Sequence, residues 1–305
     1  MNATTNATTN ETTNETTNPT VVTRSMTAHE RAVSAMYGRE AKRWSALRAR
    51  MGQKDYSTWG FWSDDTADMN QACDTMIREI AAAAAISPGH RVLDVGCGAG
   101  ASTMDLARLT HARELVGIDI THELLVHASA ATEREGLAGV RFERMSATQL
   151  IFADQVFDRV IAVDCASHFD PRDGFFAEAA RVLRPGGRAV LLDLVLGGPP
   201  VTLADKALMK LLLEGWRLPK ANCYDATAYA ERVAAAGFRE VVVRDVSERV
   251  LPGATRHMLS ESYQRAFVAV FGGARAAMWR LVLRAIARAQ RAGLVKFILV
   301  TAERP

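Results

Sequence analysis

Residues 91–100, Arg91-Val92-Leu93-Asp94-Val95-Gly96-Cys97-Gly98-Ala99-Gly100, decide how this chain folds. The first half is a short apolar run with β-branched Val92 and Val95, the pattern of a buried strand. Three glycines at alternate positions follow, and Ser102 to Ala107 reads as the start of a helix. Glycine lets a backbone turn sharply and come close to a ligand, with no Cβ in the way. The free amides that open the next helix face the same place and favour an anionic group there. The stretch predicts a nucleotide-type site at the head of a strand–loop–helix unit.

Glycines alone do not select the nucleotide, since Gly96 to Ala101 also fits the dinucleotide pattern G-x-G-x-x-G/A. An oxidoreductase that uses a nicotinamide cofactor is therefore open at this point. Asp94, just before the first glycines, is read as the discriminator. Its carboxylate would repel a pyrophosphate and suit a ligand carrying an ammonium or sulfonium. S-adenosylmethionine carries both, together with a carboxylate for the helix end. Asp119 closes a second apolar run, Glu114 to Asp119, and a carboxylate at that strand end can accept both ribose hydroxyls. Ser146-Ala147-Thr148 follows a third strand and can meet the adenine edge through backbone amides. Asp164 ends a fourth strand near the glycine loop by sheet order, and His168 lies just beyond it.

Strands and helices alternate outward from this unit. Strands are expected at 114–119, 140–144, 157–163, 188–195, 239–246 and 296–302, with helices between them. The α/β alternation implies a Rossmann-like, seven-stranded, doubly wound sheet, mostly parallel. The last strand follows its helix closely and is expected to insert antiparallel. The helix expected from Asp173 to Leu183 is stopped by Pro185-Gly186-Gly187. Ahead of the sheet, Val33, Met36, Tyr37, Ala41, Trp44, Leu47 and Met51 fall at helical spacing on one face. Tyr56 to Trp62 holds four aromatics on an expected loop, open to reading as packed anchor or as ligand wall. Residues 197–224 break the rhythm after the fifth strand's carboxyl end, where open α/β sheets bind ligands. A helical, substrate-covering insertion is expected there. The chain then divides into a low-complexity Asn/Thr tail (1–25), an N-terminal helical lid region (26–88) and the sheet domain (89–305).

Composition narrows the classes. A chain of 305 residues with a formal charge of +3 can bury a full core and has no basic excess that calls for nucleic acid. The stripe Arg280, Arg284, Arg288 and Arg291 reads as a solvated helix face. No apolar run reaches membrane-spanning length. Cys73, Cys97, Cys165 and Cys223 are scattered without metal-ligand spacing, so no metal, reduced thiols and a cytoplasmic setting are expected.

Taken together, Val92 to Gly100, Val116 to Thr121, Ser146 to Leu150, Phe157 to Val160, Arg181 to Gly187 and Phe297 to Pro305 resemble class I S-adenosylmethionine-dependent methyltransferases. Within them the chain is similar to small-molecule O-methyltransferases of natural-product pathways, macrolide-sugar enzymes above all. The resemblance implies that Gly96, Gly98 and Gly100 line the methionine half of the cofactor. It implies that Asp119 holds the ribose, Ile120 flanks the adenine, Ser146 and Ala147 meet its edge, and Asp164 lies near the amino group. His168 matches a histidine that takes the acceptor proton in such enzymes, and Asp193 could assist it. The implied reaction is methyl transfer to a hydroxyl of a sugar or polyketide-type metabolite. C- or N-methylation of a small metabolite and a cofactor-binding cyclase are the alternatives. The expected partner is a small molecule, with neither nucleic acid nor membrane, and a homo-oligomer is possible on this scaffold. Nucleic-acid and protein amino-methyltransferases commonly carry Asn/Asp-Pro-Pro-aromatic after the fourth strand, where this chain has Asp164-Cys165-Ala166-Ser167.

Overall fold

The computed structural model describes residues 26–305, and the tail expected over 1–25 lies outside them. Two helices come first, α1 (Ala28–Arg50) and α2 (Met69–Ala83). Then β1 (Arg91–Val95), α3 (Ala101–Thr110), β2 (Glu114–Asp119), α4 (His122–Glu135) and β3 (Val140–Arg144) alternate. β4 (Phe157–Val163), α5 (Arg172–Val182) and β5 (Leu183–Leu196) follow. α6 (Leu203–Gly215) and α7 (Ala226–Ala235) lead to β6 (Arg239–Asp245). Three helices, α8 (Ser247–Leu259), α9 (Glu261–Phe271) and α10 (Gly273–Arg291), precede β7 (Val295–Glu303).

The strands form one seven-stranded sheet in the order β3-β2-β1-β4-β5-β7-β6. β1 to β5 run parallel, and β7 pairs antiparallel with both β5 and β6, as the short link from α10 predicted. Successive side chains of a strand point to opposite faces, so each central strand feeds two cores. Along β7, Phe297 and Leu299 join one core, while Ile298 and Val300 join the other. The first core lies under α2, α3, α4 and α8 to α10, and the second under α5 and α7. Strands buried on both faces explain why the sequence shows near-continuous apolar runs rather than alternation.

Two expectations need correction. Leu183 and the Pro-Gly-Gly after it belong to β5 rather than to a helix end and a loop. Leu183 already pairs with Phe157, and the register then shifts before Arg188 meets Arg159. The Gly186 amide donates to Arg304 and the Arg304 amide to Gly187, so sheet-type bonds hold the irregular stretch. Residues 247–271, read from sequence without elements, form α8 and α9. With α10 they cover the face of the sheet that α1 also approaches. Among the described residues no helix is long and apolar enough to cross a membrane.

α1 starts at a reciprocal cap. The Thr27 hydroxyl accepts from the Glu30 amide, and the Glu30 carboxylate accepts from the Thr27 amide at 2.7 Å. The helix is tied to the carboxyl ends of the strands. His29 Nε2 bonds the carbonyl of His168 at 2.9 Å, and the Ser34 hydroxyl reaches the carbonyl of Ile120 at 3.5 Å.

Candidate active site

β1 lies between β2 and β4, and the chain leaves it in opposite directions across the sheet. Such a reversal opens a crevice beyond the carboxyl ends of the strands. The glycine loop forms its floor. Gly96 has φ +72°, and a Cβ there would lie 2.7 Å from the side chain of Cys165. Gly100, at φ +80°, begins α3, and a Cβ would lie 2.6 Å from the Phe142 ring. The carboxylate of Asp119 accepts from the Gly98 amide at 3.1 Å and from the Thr121 amide at 2.7 Å. The end of β2 thereby holds the loop that follows β1.

A cavity stands on this floor. Gly96, Gly98, Asp119 and Asp164 line it, with Ser146 and Ala147 to one side and Ile120, Leu124 and Met145 as an apolar wall. Glu30 reaches in from α1 and accepts from the Ser146 hydroxyl. Its charged lining is acidic, from Glu30, Asp119, Asp164 and Asp170, and among the described residues includes no lysine or arginine. Burial raises the carboxyls of Asp119 and Asp164, with the charge of Asp193 adding to the second. A ligand cation would relieve both. A pyrophosphate would meet only like charge. Asp164 has φ +56°, a left-handed conformation that aspartate tolerates better than most residues.

Three of the residues singled out from sequence stand elsewhere. Asp94 does not line the cavity. It is buried beneath the loop, accepts from the Thr103 hydroxyl at 2.6 Å and is pushed up to about 7 by burial, with Asp119 adding. The charge discrimination expected of it falls to the carboxylates that do face the cavity. Gly100 is absent from the wall and serves close packing under Phe142 and Ala128. Asp193 is wholly buried within β5 and bonds the turn of His168 through the Ser167 amide rather than facing the cavity. Arg172 at 3.3 Å, the Tyr229 hydroxyl at 3.2 Å and the Ser167 amide at 3.0 Å take its oxygens. A direct part in proton removal is therefore corrected to a structural anchor.

A second, roomier cavity adjoins the first, and Tyr37, Ser57, Asp164 and His168 line both. Its walls are aromatic and apolar, with Trp44, Trp59, Trp216, Trp279, Tyr263 and Phe297 among them. The cations at its rim are already paired. Arg48 meets Asp55 at 2.5 Å, and Lys54 meets Asp74 at 2.8 Å and Asp105 at 2.9 Å. The aromatic loop divides between the two roles left open for it. Tyr56, Phe61 and Trp62 are buried anchors, and Tyr56 and Trp59 also form wall.

His168 sits at the junction on a single 3₁₀ turn, Ala166–His168, just past β4. Its Nε2 lies 2.9 Å from the Tyr37 hydroxyl, and the two rings meet edge to face at 5.7 Å. Its Nδ1 is buried without a partner among the described residues. Burial pushes the imidazole down to about 4, with His29 and Arg172 adding. The ring is thus neutral near pH 7. Burial likewise raises the Tyr37 hydroxyl well above its usual range. Tyr37 and Glu30 were not singled out as site residues. Their only sequence signal was a place on the helix that faces the crevice. Among the described residues no group of three or more His, Cys, Asp or Glu side chains is arranged to hold a metal.

The residues present fit S-adenosylmethionine. A carboxylate stands at the strand end for the ribose, an apolar wall stands beside the Ser146–Ala147 backbone for the adenine, and acidic side chains await the two cations. The buried Thr121 hydroxyl beside them has no protein partner among the described residues. Comparison with known proteins agrees. A family described as a methyltransferase domain matches residues 92–187. Erythromycin 3''-O-methyltransferase of Saccharopolyspora erythraea is 33% identical over 205 residues, which cover 64% of this chain and 66% of that protein. Methyltransferase GfsG of Streptomyces halstedii is 35% identical over 205 residues, covering 64% of this chain and 69% of that one. The chain thus spans about two thirds of the length of these relatives. Among solved structures, the [4+2]-cyclase SpnF superposes with a TM-score of 0.72 over 90% of this chain and 96% of its own, at 24% identity, a likeness of fold. Likeness of this extent to methyltransferases, carried on a sheet whose switch-point crevice suits their cofactor, assigns the chain: it belongs to the S-adenosylmethionine-dependent methyltransferases.

Proposed function

We propose that this methyltransferase acts on a hydroxyl of a small natural product of the sugar or polyketide type. The observation that carries the proposal is the meeting of two cavities at a neutral histidine, one cavity acidic and cofactor-shaped, the other large and aromatic. That one relative is named for O-methylation of erythromycin supports an acceptor of this kind. The second cavity, with its cations neutralised by Asp55, Asp74 and Asp105, suits an uncharged, bulky acceptor.

In this reading Asp119 holds the ribose, Ile120 flanks the adenine, and Ser146 and Ala147 meet its edge. Gly96 and Gly98 admit the methionine half, and Asp164 faces its ammonium. When bound, S-adenosylmethionine supplies an electrophilic sulfonium methyl. The chain's main contribution is to hold acceptor and cofactor in line, where most of the barrier reduction is available. His168 takes the acceptor proton on Nε2 as the Tyr37 hydroxyl yields that position. A base of this kind adds roughly 10²–10⁴-fold. The 26–88 region serves as a lid through Glu30, Tyr37 and Trp59, and the 197–224 insertion supplies Trp216 and Leu218 to the acceptor wall.

Incubation with methyl-labelled S-adenosylmethionine and a panel of three acceptors tests the proposal: a macrolide glycoside, an aromatic polyketide phenol and a simple methyl hexoside. Label should appear on oxygen of one of the bulky acceptors. Label found only on carbon or nitrogen, or an acceptor converted without gaining label, would overturn the hydroxyl assignment in favour of C- or N-methylation or of cyclisation.

A further inference from the structure

The turn that carries His168 makes only two hydrogen bonds of its own, from the His168 amide to Cys165 and from the Phe169 amide to Ala166. It lies beyond the end of β4, outside the sheet ladder. Side chains from other elements hold the rest of its backbone. Arg172 Nε donates to the carbonyl of Ala166 at 3.1 Å, and Asp193 accepts from the amide of Ser167 at 3.0 Å. The carbonyls on either side of His168 are both taken by one residue. Asn222 Nδ2 donates to Ser167 at 3.0 Å and to Phe169 at 2.6 Å. Its Oδ1 accepts from the Arg172 amide at 3.2 Å. Turning the amide over would set oxygen against two carbonyls, so the network fixes its orientation.

Asn222 is 2% exposed and makes no contact with either cavity. It closes the 3₁₀ turn Lys220–Asn222, at the end of the segment that begins after β5. The same segment, a few residues earlier, gives Trp216 and Leu218 to the acceptor wall. Only Pro219 and that turn separate wall from clamp.

We propose that Asn222 is the positioning residue of this enzyme, fixing the backbone on both sides of His168 and tying it to the acceptor wall. The proposal rests on the reading of His168 as the group that takes the acceptor proton. Buried polar groups are costly to leave unpaired, so loss of the Asn222 amide frees two carbonyls and the turn moves to find water or other donors. A misplacement of about 1 Å at a reacting group can lower the rate on the order of 10²-fold.

The test uses the full chain saturated with S-adenosylhomocysteine. The imidazole ¹⁵N signals of His168 are titrated by NMR in the parent, in Asn222→Ala and in Asn222→Leu, which keeps the shape and stays uncharged but removes the two donors. The groups facing His168 are Tyr37 and His29 from α1, Arg172 from α5 and Asp164 at the end of β4, and all are unchanged in the variants. Both variants should titrate about one pH unit or more above the parent, as the turn opens to water. Affinity for S-adenosylhomocysteine should stay within about 2-fold. A substitution that only weakens the fold elsewhere would leave this titration in place, so an unchanged His168 signal in both variants overturns the proposal. Turnover on whichever bulky acceptor of the panel is methylated gives the second readout. Asn222→Leu should lower kcat about 10- to 100-fold with a smaller change in KM. In a His168→Ala background it should cost nothing further, because the two act in series. An equal loss in both backgrounds would also overturn the proposal. Full activity of His168→Ala alone would instead sink the proton-acceptor reading, while the titration reports on Asn222 by itself.

Discussion

His168 and Asp94 are both perturbed by burial, in opposite senses for the fold. The imidazole is lowered from 6.5 to about 4, so between those values the folded chain binds fewer protons than the unfolded one. This part of the stability falls as pH drops through that window. The same depression keeps the imidazole uncharged down to about pH 4. We expect the acid limb of kcat that depends on His168 to lie near the lowered value rather than near 6.5. His168→Ala should lower kcat by about 10²–10⁴-fold with little change in cofactor affinity, checked by turnover and calorimetry. Asp94 runs the other way, raised from 3.8 to about 7. Its contribution is fully present below pH 3.8 and is lost as pH rises through about 7. An asparagine can still accept from Thr103 and carries no charge. The melting temperature of cofactor-free Asp94→Asn should therefore gain on the parent between pH 4 and pH 8.

At the scale of elements, the first turn of α1 links the fold to the site. Glu30 closes the cap with Thr27 and also holds Ser146, at the adenine side of the crevice. Loss of a cap residue costs about 1 kcal/mol, enough to raise local opening about 5-fold. Thr27→Ala should accordingly speed hydrogen exchange of the amides in the first two turns of α1, while the exchange of β1 and β4 stays as in the parent. The alternation of strand and helix was legible because period and end signals are local. The extra strand residues at Leu183 were not. A Pro-Gly-Gly sequence reads as a stop, and only pairing with Phe157 and Arg304 recruits it to the sheet. α8 and α9 were missed for a related reason. Pro252-Gly253 inside α8 reads as a break, yet the helix runs through it, and α9 is a short helix set between Ser260 and Gly272.

For the whole molecule, cofactor binding should act as a stabiliser through Asp119. A ligand at about 100 times its Kd adds about 2.7 kcal/mol to a fold that binds it only when folded. S-adenosylhomocysteine should therefore raise the melting temperature of the parent by several degrees. Asp119→Ala removes the acceptor that holds the Gly98 amide and, in the proposed reading, the ribose, and should weaken binding about 10- to 100-fold. Its melting temperature should then respond only at correspondingly higher ligand, which differential scanning fluorimetry would follow.

The sequence by itself determined the sheet, the glycine loop after β1 and the carboxylate of Asp119 at the end of β2. Each is encoded within a few residues, by strand period, glycine spacing and the position of a charge at a strand end. Ser146, Ala147 and Asp164 were placed by the same means, since residues after parallel strands share one edge of the sheet. Only the tertiary structure decided which charges face the crevice. Asp94 and Asp193 look equivalent to Asp119 and Asp164 along the chain, yet one lies under the loop and the other is buried within β5. A side chain's face at such an edge depends on which helix packs over it, and no local pattern records that. The same holds for the meeting of Tyr37 and His168, 131 residues apart, and for an acceptor cavity walled from α1, the 197–224 segment and α8 to α10. These contacts exist because packing brings distant elements over one end of the sheet, and they carry the choice of acceptor.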